Sequence, residues 1–168
     1  MESSLLLLFC LFTAISLSAQ KGSNNARFNQ KVAGVYISVS SGGAQIMQLF
    51  ADGNLTFELS EEFPGNNDFH ESFSNPMGYW EASGKQSLSA TSYDLVFNEE
   101  GKFIGVGVAK NAIQFDEQFQ RATVDCKGVL YAPGVDPFAE DARPIPGSEF
   151  SCAPMHFRRA PGNREKLD

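Results

Sequence analysis

The stretch Gly78-Tyr79-Trp80-Glu81-Ala82-Ser83-Gly84 decides the fold of this chain, together with the runs Leu88-Ser89-Ala90-Thr91-Ser92-Tyr93 and Leu95-Val96-Phe97 that follow it. Apolar and polar residues alternate along these runs, and Gly84 and Glu100-Gly101 interrupt them. Alternation with a period of two is typical of strands that bury one face, and glycine-containing breaks are typical of tight turns. The stretch therefore predicts antiparallel strands joined by short connections.

The same alternation extends to both sides of this stretch. It is clearest where Leu55, Phe57 and Leu59 are separated by Thr56 and Glu58, and we expect the three apolar residues to point inward. Before them, Asp52-Gly53 predicts a two-residue hairpin turn, because Gly reaches positive φ without a steric clash. Strands are predicted at residues 32–39, 44–50, 55–59, 78–82, 86–97, 103–110, 112–115 and 119–131, with a short closing strand at 149–157.

The pattern indicates an all-β protein. Aromatic residues are plentiful, 15 Phe among them, and the turn formers Gly and Pro are frequent. Consecutive antiparallel runs favour a single up-and-down barrel of about eight strands, because closure removes exposed edges. A two-sheet β-sandwich is the alternative, since the alternation does not reveal whether the sheet closes. A barrel of this size is either filled by its side chains or holds one small ligand.

The amino terminus indicates a targeting segment. Leu5 to Ile15 is apolar except for Thr13, which matches a signal-peptide core and is too short to span a bilayer. We predict a signal peptide at 1–19, a flexible lead-in at 20–31, a β-barrel domain at 32–157 and a disordered tail at 158–168. No later run approaches the ~18 apolar residues that a membrane span needs. We therefore expect a secreted, extracellular protein with no membrane span.

Cysteine usage agrees with this compartment. Cys10 lies in the predicted signal peptide, which leaves Cys126 and Cys152 in an oxidising environment. We expect these two residues to form a disulfide bond, with two free buried thiols as the alternative. Asn54-Leu55-Thr56 is an N-glycosylation sequon at the predicted hairpin, so Asn54 is a predicted glycosylation site.

Charge and motifs narrow the function classes. The formal net charge is −7 and the pI is about 4.8, so nucleic-acid binding is not expected, because phosphate neutralisation needs a basic face. His70 and His156 are the only histidines, and no Gly-x-Ser-x-Gly motif accompanies them. Residues 136–141 contain acidic side chains but lack the spacing of a known Ca²⁺ loop. The sequence indicates no catalytic residue, no metal site and no cofactor.

A family resemblance rests on dispersed structural motifs. They are Gly78-x-Trp80, Ala90-Thr91, Phe97, Gly101, Tyr131-x-Pro133-Gly134-x-Asp136-Pro137 and Arg143-Pro144. With these motifs the chain resembles a diffuse family of small lipocalin-like (calycin-like) β-barrel proteins of unestablished function. The resemblance covers most of the chain after the signal peptide. It implies a barrel with an internal cavity and assigns no catalytic residue.

Three functions are compatible with these observations. The first is a secreted, non-enzymatic barrel that binds a small apolar ligand, with candidate lining residues Phe57, Trp80, Leu88, Phe97 and Phe115. These side chains would equally fill a packed core. The second is an acidic structural protein of an extracellular or mineralised (skeletal) organic matrix, with matrix components as partners.

The third function is a barrel isomerase or cyclase. It requires a polar group on an inward face, and Glu81 or Asp125 would provide one only if the strand facing were reversed. Because no catalytic motif is present, the sequence favours a non-enzymatic protein.

Overall fold

The computed structural model describes residues 26–41, 43–60 and 72–162. The predicted signal peptide and His70 lie outside these ranges. A short helix spans residues 26–32 and is followed by ten strands. The strands are β1 (Gly34–Ser40), β2 (Gly43–Leu49), β3 (Asn54–Leu59), β4 (Ser72–Phe73), β5 (Met77–Ala82), β6 (Ser87–Phe97), β7 (Phe103–Phe115), β8 (Arg121–Tyr131), β9 (Phe150–Ser151) and β10 (Met155–Arg159).

Eight of the strands form a closed antiparallel barrel in a single sheet, in the order β1-β2-β3-β5-β6-β7-β8-β10. Closure occurs at β10, which pairs with β8 through Met155 and Val124 and with β1 through Arg159 and Tyr36. The two-residue strands β4 and β9 add to β6 and β8. The predicted up-and-down barrel is confirmed, and the alternative two-sheet sandwich is wrong. The closed barrel is consistent with a lipocalin-like fold.

Strand β7 corrects one prediction. The separate strands expected at 103–110 and 112–115 are one continuous strand, in which Asn111 pairs with Ala90 of β6 and Cys126 of β8. Asn is unfavourable in strands, so the sequence suggested a break there. The hydrogen-bonded neighbours on both sides override that local preference. The barrel still has eight strands, because the predicted closing strand takes the eighth place.

The carboxyl-terminal boundary also differs from the prediction. β10 runs to Arg159, two residues into the expected tail at 158–168, and Ala160 N–H donates a hydrogen bond to Val35 O at 2.8 Å. Two consecutive charged residues are typical of a solvated tail. Here Arg158 is exposed, whereas the Arg159 guanidinium donates hydrogen bonds to Lys31 O and Ala33 O at the end of the barrel.

The facing of the strands follows the alternation. Leu55 and Phe57 are buried in the core and Leu59 packs against it, as predicted. In β1, by contrast, Tyr36 is the buried residue, and the apolar face that includes Val39 lies on the outside, with Val39 77% exposed. A strand with apolar residues on both faces does not by itself indicate which face is buried.

The hairpin between β2 and β3 is one residue longer than expected. Gly53 N–H donates to Phe50 O at 3.1 Å, and Phe50 N–H donates to Asn54 O at 2.9 Å, so residues 51–53 form the connection. Gly53 has φ +94°, which confirms the predicted positive φ. A three-residue hairpin with Gly in this position keeps the right-handed twist of the two strands.

The helix at 26–32 covers one end of the barrel. Its Phe28 ring packs edge-on against Trp80 and Phe119, with centroid distances of 6.3 and 6.0 Å. Val32 is fully buried. The segment predicted as a flexible lead-in at 20–31 thus includes helical residues that contact the core. Within the described ranges, no helix combines the length and the apolar character that a bilayer crossing demands.

A disulfide joins Cys126 of β8 to Cys152, which lies between β9 and β10. The Cα atoms of the two residues are 5.2 Å apart, and Cys152 N–H donates to Cys126 O at 3.1 Å. The predicted pairing is therefore confirmed. The bond links the segment between β9 and β10 to β8 of the barrel.

Candidate functional site

The interior of the barrel has two different halves. The half near the helix holds large apolar side chains in one buried cluster, which includes Phe57, Trp80, Leu88, Phe115 and Phe157. Farther from the helix, inward-facing positions of β5, β6 and β7 include small and polar residues. They are Gly78, Ala90, Ser92, Gly107, Ala109 and Asn111, and we call this set the interior polar site.

Register places these residues side by side. Trp80, Ala90 and Asn111 form one row across β5, β6 and β7, because they pair directly. The next row away from the helix consists of directly paired small residues, Gly78, Ser92, Ala109 and Gly128. Glycine inside a strand marks a place where another group approaches closely. At Gly128 the group that approaches is the ring of Phe150, and at Gly78 it is the backbone of β6 at Thr91.

Ser92 and Asn111 are the polar centre of the site. They are 3% and 5% exposed, and Asn111 Nδ2 donates a hydrogen bond to Ser92 Oγ at 3.2 Å. An amide has two N–H donors and an acceptor oxygen, and a hydroxyl has one donor and two lone pairs. In the described part of the chain, neither side chain makes a second hydrogen bond. The pair thus retains donor and acceptor capacity toward the interior.

Asp94 extends the polar character of the wall. It follows Ser92 by two residues on the same face of β6, and its partner across β7 is Gly107. A Cβ at Gly107 would collide with the Asp94 carboxylate. Because Gly107 has no side chain, the Asp94 carboxylate can lie against β7 beside the interior polar site.

Four of the five predicted lining residues come together, and one does not. Phe57, Trp80, Leu88 and Phe115 belong to the buried cluster, where they pack against one another. Phe97 lies on the opposite face of β6 from Leu88, and its ring contacts Phe103 with a centroid distance of 6.0 Å. Phe97 thus lies outside the buried cluster, at an irregularity in the pairing of β6 with β7, and its role as a lining residue stays a prediction.

Sequence reasoning missed both central residues of the site. Asn111 has the same parity as Ile113 and Phe115, so the period-two pattern contained the signal that it faces inward. The inward position of Asn111 was not predicted, because the predicted strand ended at Lys110, one residue before it. Ser92 has the parity of Leu88 and Ala90, but serine at an inward position has no specific signature.

The acidic residues considered for isomerase or cyclase chemistry do not face the interior. Glu81 and Asp125 are both exposed on the outer surface. His156 is also exposed, with Nδ1 3.2 Å from Thr123 Oγ1. Among the described residues, no group of three or more His, Cys, Asp or Glu side chains is placed to hold a metal ion. Glu81, Asp125 and His156 are therefore not part of the interior polar site.

Asn54, the predicted glycosylation site, is exposed at the start of β3, and its Nδ2 donates to Asp52 Oδ2 at 2.9 Å. Glycosylation at this residue stays a prediction.

The chain matches no protein-family model, no curated protein and no solved structure in the comparisons made with it. Its functional interpretation therefore depends on the barrel and on the residues inside it.

Proposed function

We propose that this protein is a secreted, non-enzymatic, lipocalin-like barrel protein that binds a small, mainly apolar ligand in its interior. One polar group of the ligand would meet Ser92 and Asn111. The observation that carries the proposal is this buried pair, with unused hydrogen-bonding capacity, in a wall of Gly and Ala residues. The predicted signal peptide supports secretion, and the Cys126–Cys152 disulfide is of the kind that persists in oxidising compartments.

The polar group of the ligand would bind to the Ser92–Asn111 pair. Asn111 Nδ2 already donates to Ser92 Oγ, so what a ligand can use is the remaining hydrogen-bonding capacity of this pair. A ligand hydroxyl or carbonyl would satisfy it, and the rest of the ligand would contact Leu88 and Phe57 on the apolar side. Few polar groups in a mainly apolar cavity are typical of small-molecule sites.

Trp80 provides the readout for a binding test. It lies in the same row as Asn111, two strands away, which corresponds to about 10 Å. An apolar fluorophore is expected to bind with micromolar affinity and to quench Trp80 emission. If the emission is insensitive to every apolar probe, the interior is packed and the proposal fails.

A second test separates the polar contact from the apolar one. A long-chain alcohol should bind more tightly than the alkane of equal length, and Asn111→Leu should remove most of this difference. Gln114→Leu on the exposed face of the same strand is the matched control and should retain it. Ala109→Leu should block both ligands while leaving the protein folded, because it fills space that the ligand would occupy. A strongly destabilised Ala109→Leu variant would instead indicate a close-packed wall.

A further inference from the structure

Tyr79 and Tyr93 form a pair of phenols on the outer surface of the barrel. They lie on the neighbouring strands β5 and β6, where Tyr79 is paired with Thr91 and Tyr93 with Met77, so the two tyrosines are diagonal neighbours. Diagonal positions on one face of an antiparallel pair are within reach of aromatic side chains. The two hydroxyl oxygens are 3.2 Å apart, and the ring centroids are 6.3 Å apart with 40° between the ring planes. The fold therefore brings the hydroxyl-bearing ends of the two rings together.

The pair is accessible from solvent, and its geometry is supported by a third ring. Tyr79 is 55% exposed, and Tyr93 is partly exposed. The ring of Phe138, from the segment that follows β8, contacts the ring of Tyr93 with 5.3 Å between the centroids. Tyr93 thus packs against two other aromatic rings, which limits the rotation of its side chain. A reagent in solution can reach Tyr79 while Tyr93 stays beside it.

We propose that Tyr79 and Tyr93 are a site of oxidative cross-linking, at which a peroxidase with hydrogen peroxide joins the two rings as an intramolecular dityrosine. Each phenol loses one electron and one proton to form a tyrosyl radical. The two radicals couple through a carbon–carbon bond between ring carbons that are ortho to the hydroxyl groups. The hydrogens on those two carbons then move to the phenol oxygens as the rings regain aromaticity. Hydrogen peroxide accepts the two electrons and two protons and becomes two water molecules.

Proximity favours coupling within one molecule over coupling between molecules. Each ortho carbon is bonded to the hydroxyl-bearing carbon of its ring, so the reacting carbons share the close approach of the two oxygens. Even a small fraction of the roughly 10⁵–10⁸ M effective molarity of well-oriented groups exceeds any protein concentration in solution. The cross-link would fasten β5 to β6 covalently, and this inference is independent of any interior ligand.

The other tyrosines of the chain are placed differently. The sequence contains four, and Tyr36 is fully buried. Tyr131 lies on β8, which β7 separates from the strand β6 that carries Tyr93. The fold therefore selects Tyr79 and Tyr93 for coupling, and Tyr131 provides a matched control.

The test is oxidation of the purified protein by a haem peroxidase and hydrogen peroxide at low protein concentration. The expected product is a monomer that is two hydrogen atoms lighter and shows dityrosine fluorescence. Trypsin cleaves after Lys85, which lies between the two tyrosines in the sequence, so the cross-link should hold the two resulting peptides together. Tyr79→Phe and Tyr93→Phe should each reduce the yield of this monomeric product about tenfold or more, because the neighbouring phenol is lost. Tyr131→Phe should leave the yield unchanged.

Three outcomes would overturn the proposal. The first is oxidation without dityrosine. The second is dityrosine found mainly in covalent dimers, with a yield that rises with protein concentration. The third is a monomeric product that persists in Tyr79→Phe or is lost equally in Tyr131→Phe. Phenylalanine keeps each ring in place, and the peptide map of the unmodified protein identifies the joined residues without any variant, so the test does not depend on how the variants fold.

Discussion

The guanidinium group of Arg159 lies over the ring of Tyr36, with 5.6 Å between the guanidinium carbon and the ring centroid. Arg159 also donates hydrogen bonds to Lys31 O, at 2.7 Å, and to Ala33 O. Tyr36 is fully buried, and its hydroxyl donates to Val32 O at 3.0 Å. Desolvation raises the pKa of Tyr36, and the positive charge of Arg159 opposes this shift. The last strand is thereby tied to the first strand and to the covering helix.

Replacement of Arg159 should weaken this closure. Arg159→Gln removes charge-assisted hydrogen bonds and the stacking on Tyr36, so the free energy of unfolding should fall by about 1.5–3 kcal/mol. Urea unfolding followed by circular dichroism measures the change. The neighbouring Arg158→Gln variant is the control, because that side chain is exposed and should change stability by less than about 0.5 kcal/mol. Equal losses in both variants would refute the role of Arg159.

The hairpin residue Gly53 should not tolerate a branched side chain. It has φ +94°, and a Cβ there would lie 3.2 Å from Trp80 O, so Gly53→Val should cost about 1–3 kcal/mol of stability. The turn also sets the register that keeps Leu55 inside. Gly162→Val is the control, since no atom lies within 4 Å of its Cβ position. Indistinguishable urea midpoints for the two variants would contradict the prediction.

The disulfide should protect both cysteines from alkylation and should contribute to the free energy of unfolding. Intact mass after alkylation should show Cys126 and Cys152 protected until the protein is reduced. The variant Cys126→Ala/Cys152→Ala should lose about 3 kcal/mol, because the bond closes a loop over a sequence separation of 26. Alkylation of both residues without reduction would show that the thiols are free.

The outer surface offers a pH-dependent prediction at Tyr93. Desolvation, followed by a hydrogen bond between its hydroxyl and that of Tyr79 at 3.2 Å, raises the pKa of Tyr93 to about 12. The folded state thus favours the neutral phenol. The resulting contribution to stability is complete below about pH 10, the ordinary pKa of tyrosine, and is lost as the pH rises through about 12.

Tyr79→Phe should therefore lower the pKa of Tyr93, since it removes the hydrogen bond. Absorbance titration of tyrosinate formation in the folded protein measures the shift. Tyr131→Phe is the control, because Tyr131 lies on β8, which β7 separates from the strand β6 that carries Tyr93, and it should leave the late transition in place. A Tyr93 transition that does not move in Tyr79→Phe would exclude the hydrogen bond as a cause.

The local alternation of apolar and polar residues was sufficient to predict much of the fold. The alternation of Leu55, Phe57 and Leu59 predicted both a strand and its buried face, and turn residues separated the strands close to their observed ends. The pairing of Cys126 with Cys152 also followed from the sequence, once a signal peptide was assumed. These features depend on residues near one another in the chain, so a period of two is enough to reveal them.

Of the residues inside the barrel, the sequence indicated the apolar ones. Trp80 and Leu88 were placed correctly inside, whereas the inward position of Asn111 depended on a strand that the sequence appeared to end at Lys110. Hydrogen bonds from β6 and β8 keep that strand continuous. Those hydrogen bonds outweigh the low strand preference of asparagine. They depend on β6 and β8, so they cannot be predicted from the sequence of β7 alone.

Tertiary structure alone decided the remaining features. Closure of the sheet through Tyr36 and Arg159, and the opposition of Arg121 to Arg158, both depend on the register between strands that are far apart in the sequence. A shift of one residue would reverse the facing of every side chain in a strand. Sequence alternation determined which residues can share a face, and long-range pairing determined which of those faces meet, because register is a property of two strands together.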